Sequence, residues 1–186
     1  MVTSDHGEAF SENSELHSYF SHHSAYEPAV RIPLIAKYPG QRTGARPVRR
    51  TQQIDVLPTL LDAVDLPQIE GLDGRSVAEP ASEPAITEWY RRAGGGSFPY
   101  LPHNRIGLYH DRFKYVMEGD GTEYLYDLEL SPYEQVDVLD EHRQLAARLR
   151  SRAAERTERP ESDPSLSEKP IDPRLLEQLR ALGYAE

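Results

Sequence analysis

Residues 2–10 read VTSDHGEAF, and the placement of the whole chain turns on them. Val2 and Thr3 have the β-branched start of a strand, and Ser4-Asp5-His6-Gly7 bends it into a loop. A parallel sheet needs crossover neighbours on its strands. A strand that stands first and runs straight into a turn is therefore expected to belong to an incomplete α/β fold.

Working outward, residues 31–38 (RIPLIAKY) form a mostly apolar run closed by Pro39-Gly40, the pattern of a buried strand ending in a turn. From Ile54, apolar residues recur at Leu57, Leu60, Leu61 and Val64, a helical spacing with Pro58 acceptable only in the first turn. This helix is expected to cover a sheet face. Residues 67–84, rich in Gly, Pro and acid around GLDGRSV, read as a loop between two structural units.

Beyond that loop the pattern changes. Residues 85–90, 105–117 and 123–128 carry aromatic and β-branched residues separated by GGGS and EGDG turn signals, which predicts a small antiparallel sheet. Val138, Leu139, His142, Leu145, Leu149 and Ala153 then mark an amphipathic helix. The expected organisation is an incomplete α/β domain over 1–80, an α+β subdomain over 81–156, a charged linker over 157–171 and a last helix over 172–186. That helix has Asp172 as its cap, Pro173 at its first position and Gly183 as its stop.

Composition narrows the function classes. The chain has 186 residues, 38% of them hydrophobic, enough for one ordinary core or two small ones. With 31 acidic against 21 basic residues the net charge is −10, the wrong sign for a phosphate-backbone surface, so nucleic acid is not expected as a partner. No run approaches the ~18–20 apolar residues of a membrane span, and the first residues lack a signal peptide's basic and apolar regions. No membrane partner and a cytoplasmic location are the default expectations. With no cysteine in the sequence, any metal must be held by Asp, Glu, His, Asn or backbone oxygen.

Two strings carry chemistry. In SDHGE, adjacent Asp5 and His6 could both reach one cation if the turn directs them inward, with Gly7 relieving the backbone. A carboxylate suits calcium or magnesium, and an added imidazole tilts the choice toward manganese or zinc. The same triplet also fits a plain surface turn. In the second string, His17, His22 and His23 precede Ser24-Ala25-Tyr26-Glu27-Pro28. Imidazoles there could contact an anionic substrate or simply be solvated. No GxSxG elbow, catalytic cysteine or P-loop accompanies them.

Taken in order, VTSDHGEAFSEN, HHSAYEPAVRIPLIAKYPG, QIDVLPTLLDAVDLPQIEGLDGRSV, DRFKYVMEGDGTEYLYDLELSPYEQVDV and RLLEQLRALGY resemble consecutive landmarks of the sulfatase family, within the alkaline phosphatase superfamily. The resemblance implies the C-terminal part of an alkaline-phosphatase-like α/β sandwich, followed by a small antiparallel sheet plus helix. It implies one divalent cation (calcium, magnesium or manganese) beside a formylglycine nucleophile, and a sulfate ester substrate. By position, Asp5 and His6 match the family's late metal ligands. His22 matches a substrate-contacting lysine and His23 a neighbouring residue that sometimes faces the substrate, so both are assigned to catalysis and His22 also to substrate binding. Tyr26, Glu27, Arg31 and Pro33 match a YE-x3-R-x-P pattern in which Arg31 is mainly structural.

The departures matter equally. The nucleophile motif, Cys or Ser followed by x-Pro-x-Arg, is absent, as are the early paired aspartates. Asn13 stands where many relatives have histidine. His22 in place of lysine makes anion contact pH-sensitive, because imidazole titrates near ~6.5. The chain alone is therefore expected to be inactive, with another chain possible as the source of the missing part. Two alternatives stand beside a sulfuric ester hydrolase: a phosphodiesterase or phosphonate monoester hydrolase of the same superfamily, and a non-catalytic remnant or interaction domain.

Overall fold

The computed structural model describes residues 1–10, 12, 25–46, 49–80, 84–89 and 104–157, with 174, 177 and 178. The chain divides into two compact units, Met1–Ala153 and Ala154–Glu186. All strands among the described residues lie in the first unit.

The centre of that unit is a four-stranded antiparallel sheet in sequential order: β3 (Ile86–Trp89), β4 (Arg105–His110), β5 (Phe113–Glu118) and β6 (Glu123–Asp127). The run expected over 105–117 is two strands, paired from Arg105↔Glu118 to His110↔Phe113. The break falls at Asp111-Arg112, where Asp111 takes φ 51°, a left-handed conformation that aspartate tolerates without a glycine to announce it. The EGDG signal does make the next turn, with Gly121 at φ 88°.

Strand alternation gives the sheet two unlike faces. On one, Ile86, Leu108, Tyr115 and Leu125 align across all four strands. With Ile106 they pack on Val138, Ala146, Leu149 and Ala153. The last three belong to α3 (Arg143–Thr157), whose spacing puts them on one stripe. The helix begins later than its apolar periodicity suggested: Val138 and Leu139 precede it, and Val138 joins the core from an extended segment whose amide donates to the Leu125 carbonyl.

The other face carries Arg105, Tyr109, Lys114, Val116, Glu118 and Tyr126, and it is buried too. It is covered by the segment Ala25–Tyr26 leading into α1 (Glu27–Val30), with Tyr26 packed on Val116 and Tyr126. The Arg105 guanidinium lies 4.8 Å from the Tyr26 ring centroid and pairs with Glu118 at 2.9 Å.

The N-terminal strand, β1 (Val2–Thr3), pairs antiparallel with β2 (Leu34–Ile35). The strand expected over 31–38 is thus only two residues long, since β1 offers only two partners. A 3-10 turn (Gln53–Asp55) leads into α2 (Val56–Ala63), and Pro58 does lie in the first turn. The expected covering of a sheet face is not what α2 does among the described residues: Ile54, Leu57, Leu60 and Val64 are 42–58% exposed. Its polar side is buried instead. Asp55 accepts hydrogen bonds from the amides of Gln52 and Arg75 and from Arg49, and Thr59 receives the Val77 amide, so the GLDGRSV loop is pinned to the start of α2.

Candidate functional site

The turn after β1 places Asp5 and His6 side by side. His6 Nε2 lies 3.7 Å from Asp5 Oδ2, with the carboxylate 81% and the ring 44% exposed. The other ring nitrogen, Nδ1, is 2.7 Å from the Gly7 carbonyl oxygen. A carbonyl can only accept, so Nδ1 donates to it, and Nε2 is the ring nitrogen beside the carboxylate. A metal-binding histidine is normally oriented in this way. Cation–ligand bonds of ~2.1–2.5 Å bring two adjacent donors to a similar separation.

The backbone of the turn is held from two sides. Gln53 Nε2 donates to the carbonyls of Ser4 and Asp5, and Gly7 N–H donates to Ala29 O in α1 at 2.7 Å. A Cβ at Gly7 would collide with the Pro28 carbonyl, so glycine is required by close approach and not by a special φ. Asp5 and His6 both border a cleft of about 610 Å³ whose wall includes Arg31, Arg50, Gln53 and Trp89.

His22, His23 and Asn13 lie outside the described residues. The structure does describe the next stretch of chain: Ala25, Tyr26 and Glu27 are buried, and Arg31 is exposed on the cleft wall. Burial pushes the Tyr26 phenol up to about 12, with Arg105 opposing the shift. Among the described residues, no three of His, Asp and Glu group closely enough to hold a metal. Asp5 and His6 are a pair brought together by the turn. No helix among the described residues is long and apolar enough to cross a membrane.

Beneath α1 lies a charged cluster that the residue pattern did not reveal. Lys114, fully buried in β5, has Nζ 2.8 Å from Glu134 and 3.3 Å from Glu27 and donates to the Ala25 carbonyl at 2.6 Å. Tyr109 donates its hydroxyl to Glu27 at 2.5 Å. Burial alone would lower the Lys114 pKa, but Tyr109, Glu134 and Glu27 outweigh it and hold the ammonium above the ordinary lysine value. Burial raises Glu134, against the pull of Lys114. The one signal in the sequence was a lysine within FKYVM, which strand alternation would assign to solvent.

The sheet, its helix and the two-stranded piece ahead of them have the form of an alkaline-phosphatase-like α/β fold in its C-terminal part. Residues 15–159 match the family described as N-sulphoglucosamine sulphohydrolase, C-terminal. The chain belongs to the sulfatase family. It is 30% identical over 148 residues to arylsulfatase K of Gallus gallus, covering 74% of this chain and 27% of that protein. It is 26% identical over 170 residues to the ulvan-active sulfatase of Formosa agariphila, covering 83% and 32%. The chain thus spans about a third or less of the curated relatives it matches.

Among solved structures, the phosphonate monoester hydrolase of Agrobacterium radiobacter superposes with TM-score 0.61 at 28% identity, over 83% of this chain and 33% of that one. A second, solved in complex with its substrate D-glucosamine-2-N,6-O-disulfate, gives TM-score 0.57 at 21% identity, over 82% and 34%.

Proposed function

We propose that this chain supplies the late metal ligands and the anion contact of a sulfuric ester hydrolase, with the nucleophile and remaining ligands on further protein. The observation that carries the reading is the Asp5–His6 pair, with His6 Nδ1 spent on the Gly7 carbonyl and Nε2 turned to Asp5 Oδ2. Asp5 and His6 would hold one divalent cation, calcium, magnesium or manganese, which when bound stabilises charge on the sulfate oxygens. His22 would clamp the sulfate ester, with His23 beside it. The cation preference, the sulfate ester as substrate and the second chain are parts of this reading.

The exposed apolar residues support the need for completion. Val2 and Ile35, opposite each other on β1 and β2, are 63% and 64% exposed, and the outer side of α2 is exposed as well. Apolar surface of this kind marks a contact with other protein.

The test is Asp5→Ala and His6→Ala in an enzyme completed with the nucleophile-bearing part. Turnover of an aryl sulfate should fall by ~100-fold or more. Unchanged turnover would refute the assignment. A second reading, a phosphonate monoester or phosphodiester hydrolase, is favoured by the likeness to the Agrobacterium radiobacter enzyme. Parallel rates on an aryl sulfate and a phosphate diester decide between the two, and no hydrolysis of either would favour a non-catalytic interaction domain.

A further inference from the structure

We propose that Lys114 is a positioning residue for the Asp5–His6 turn, acting through Glu27 and α1; its bearing on a metal rests on the function proposed above. Lys114 reaches α1 from the middle of the four-stranded sheet. Its path is open because Gly107, on the neighbouring strand, has no side chain: a Cβ there would stand 3.2 Å from Lys114 Cε and collide with the Thr87 hydroxyl. An ammonium has three N–H donors. Lys114 Nζ meets three oxygens within 3.3 Å, from Ala25, Glu27 and Glu134.

The second anchor is Glu134. Its Oε2 accepts the backbone amide of Glu27 at 2.6 Å, bridging 107 residues of sequence. Glu134 holds φ 57°, a conformation unfavourable for a long side chain, and does so while fully buried. Strain of this kind persists only where the surroundings over-determine it. Glu27 is thereby fixed at both its amide and its carboxylate.

From Glu27 the path is short. α1 is four residues long, and its Ala29 carbonyl receives the Gly7 amide, so the turn carrying Asp5 and His6 rests on it. The same anchor grips Ala25, two residues beyond His23 in the sequence. An apolar cluster of equal volume could match a buried ion pair in stability. What the lysine and carboxylates add is direction: they select one position of α1 on the sheet.

The experiment uses the chain itself. Lys114→Met keeps an unbranched side chain, one heavy atom shorter, and removes its charge. A companion variant, Lys114→Met with Glu27→Gln and Glu134→Gln, leaves no buried carboxylate unpaired and guards against failure to fold. Amide hydrogen exchange should speed up by about tenfold or more at Gly7 and Arg31 while amides of β4 and β5 are unchanged. Mn2+ affinity, followed by paramagnetic broadening of His6, should weaken by about tenfold.

Equal acceleration at Gly7 and in the sheet in both variants would reduce Lys114 to a fold-holding residue and overturn the proposal. So would unchanged exchange at Gly7. If the unaltered chain shows no Mn2+ broadening at His6, the metal reading alone fails, and the Gly7 exchange still decides the linkage to Lys114.

Discussion

Gly7 donates its amide to the Ala29 carbonyl at 2.7 Å, and the space where a Cβ would stand is filled by the carbonyl of Pro28. The Asp-His turn and the YEP helix are therefore in backbone contact, with no side chain between them. Gly7→Ala must push them apart. It should destabilise the chain by about 1–3 kcal/mol, as overpacking does. A urea midpoint and the displacement of the Asp5, His6 and Ala29 amide resonances check this together.

Asp55 is the hub of the other end. It pairs with Arg49 at 2.7 Å, with the two side chains 3% and 10% exposed, and accepts the amides of Gln52 and Arg75. Asp55→Ala strands both amides and takes the carboxylate from a guanidinium left with carbonyl partners, among them those of Arg75, Ser76 and Glu79, at a cost of ~3–5 kcal/mol. Chemical denaturation measures the loss, and limited proteolysis should cut first within residues 67–80.

Glu134 separates strain from pairing. Glu134→Ala removes the carboxylate but keeps the left-handed backbone, whereas Glu134→Gly removes both the carboxylate and the strain. Both variants should be less stable than the parent, with the glycine variant ahead of the alanine variant by about 1 kcal/mol. Equal stabilities would show that φ at this position costs nothing.

Alkaline pH should loosen the buried face of the sheet. The folded pKa of Lys114 lies above its ordinary 10.5, so its contribution is fully present below that value and is lost as pH rises through the folded pKa. Tyr26 acts with the same sign. The unfolded chain releases this proton near 10, while the fold holds it to about 12, so stability falls across that interval. Urea midpoints should be flat from pH ~8 to 10 and decline above, and less steeply in Lys114→Met.

The outer side of α2 predicts the reverse pattern. Leu57 and Leu60 are 44% and 42% exposed, so Leu57→Glu with Leu60→Glu should change stability by no more than about 0.5 kcal/mol each. Self-association, or association with a completing protein, should weaken. Sedimentation and a denaturation curve on the same variant distinguish the two effects.

Much of the architecture is local and therefore legible in the residues. EGDG makes its turn because glycine accepts the left-handed conformation. The stripe Ala146, Leu149, Ala153 makes a helix face because 3.6-residue periodicity is a property of the segment alone. The adjacency of Asp5 and His6 is guaranteed by their numbering. The order of the motifs carried the sulfatase resemblance, and residues 15–159 match that family.

What the residues could not disclose depends on partners distant in the chain. The Asp111-Arg112 turn was hidden because aspartate entered the left-handed region in place of glycine. The apolar spacing of α2 was real, yet a spacing names no partner, and its exposed side follows from which surfaces lie against it. Lys114 is the clearest case. Alternation within FKYVM determined that it faces away from Phe113 and Tyr115. Only the tertiary structure placed Glu27, 87 residues earlier, and Glu134 over that face and converted a wet side of the sheet into a buried ionic anchor. Local periodicity sets the direction of a side chain; the long-range packing of the chain sets what it meets.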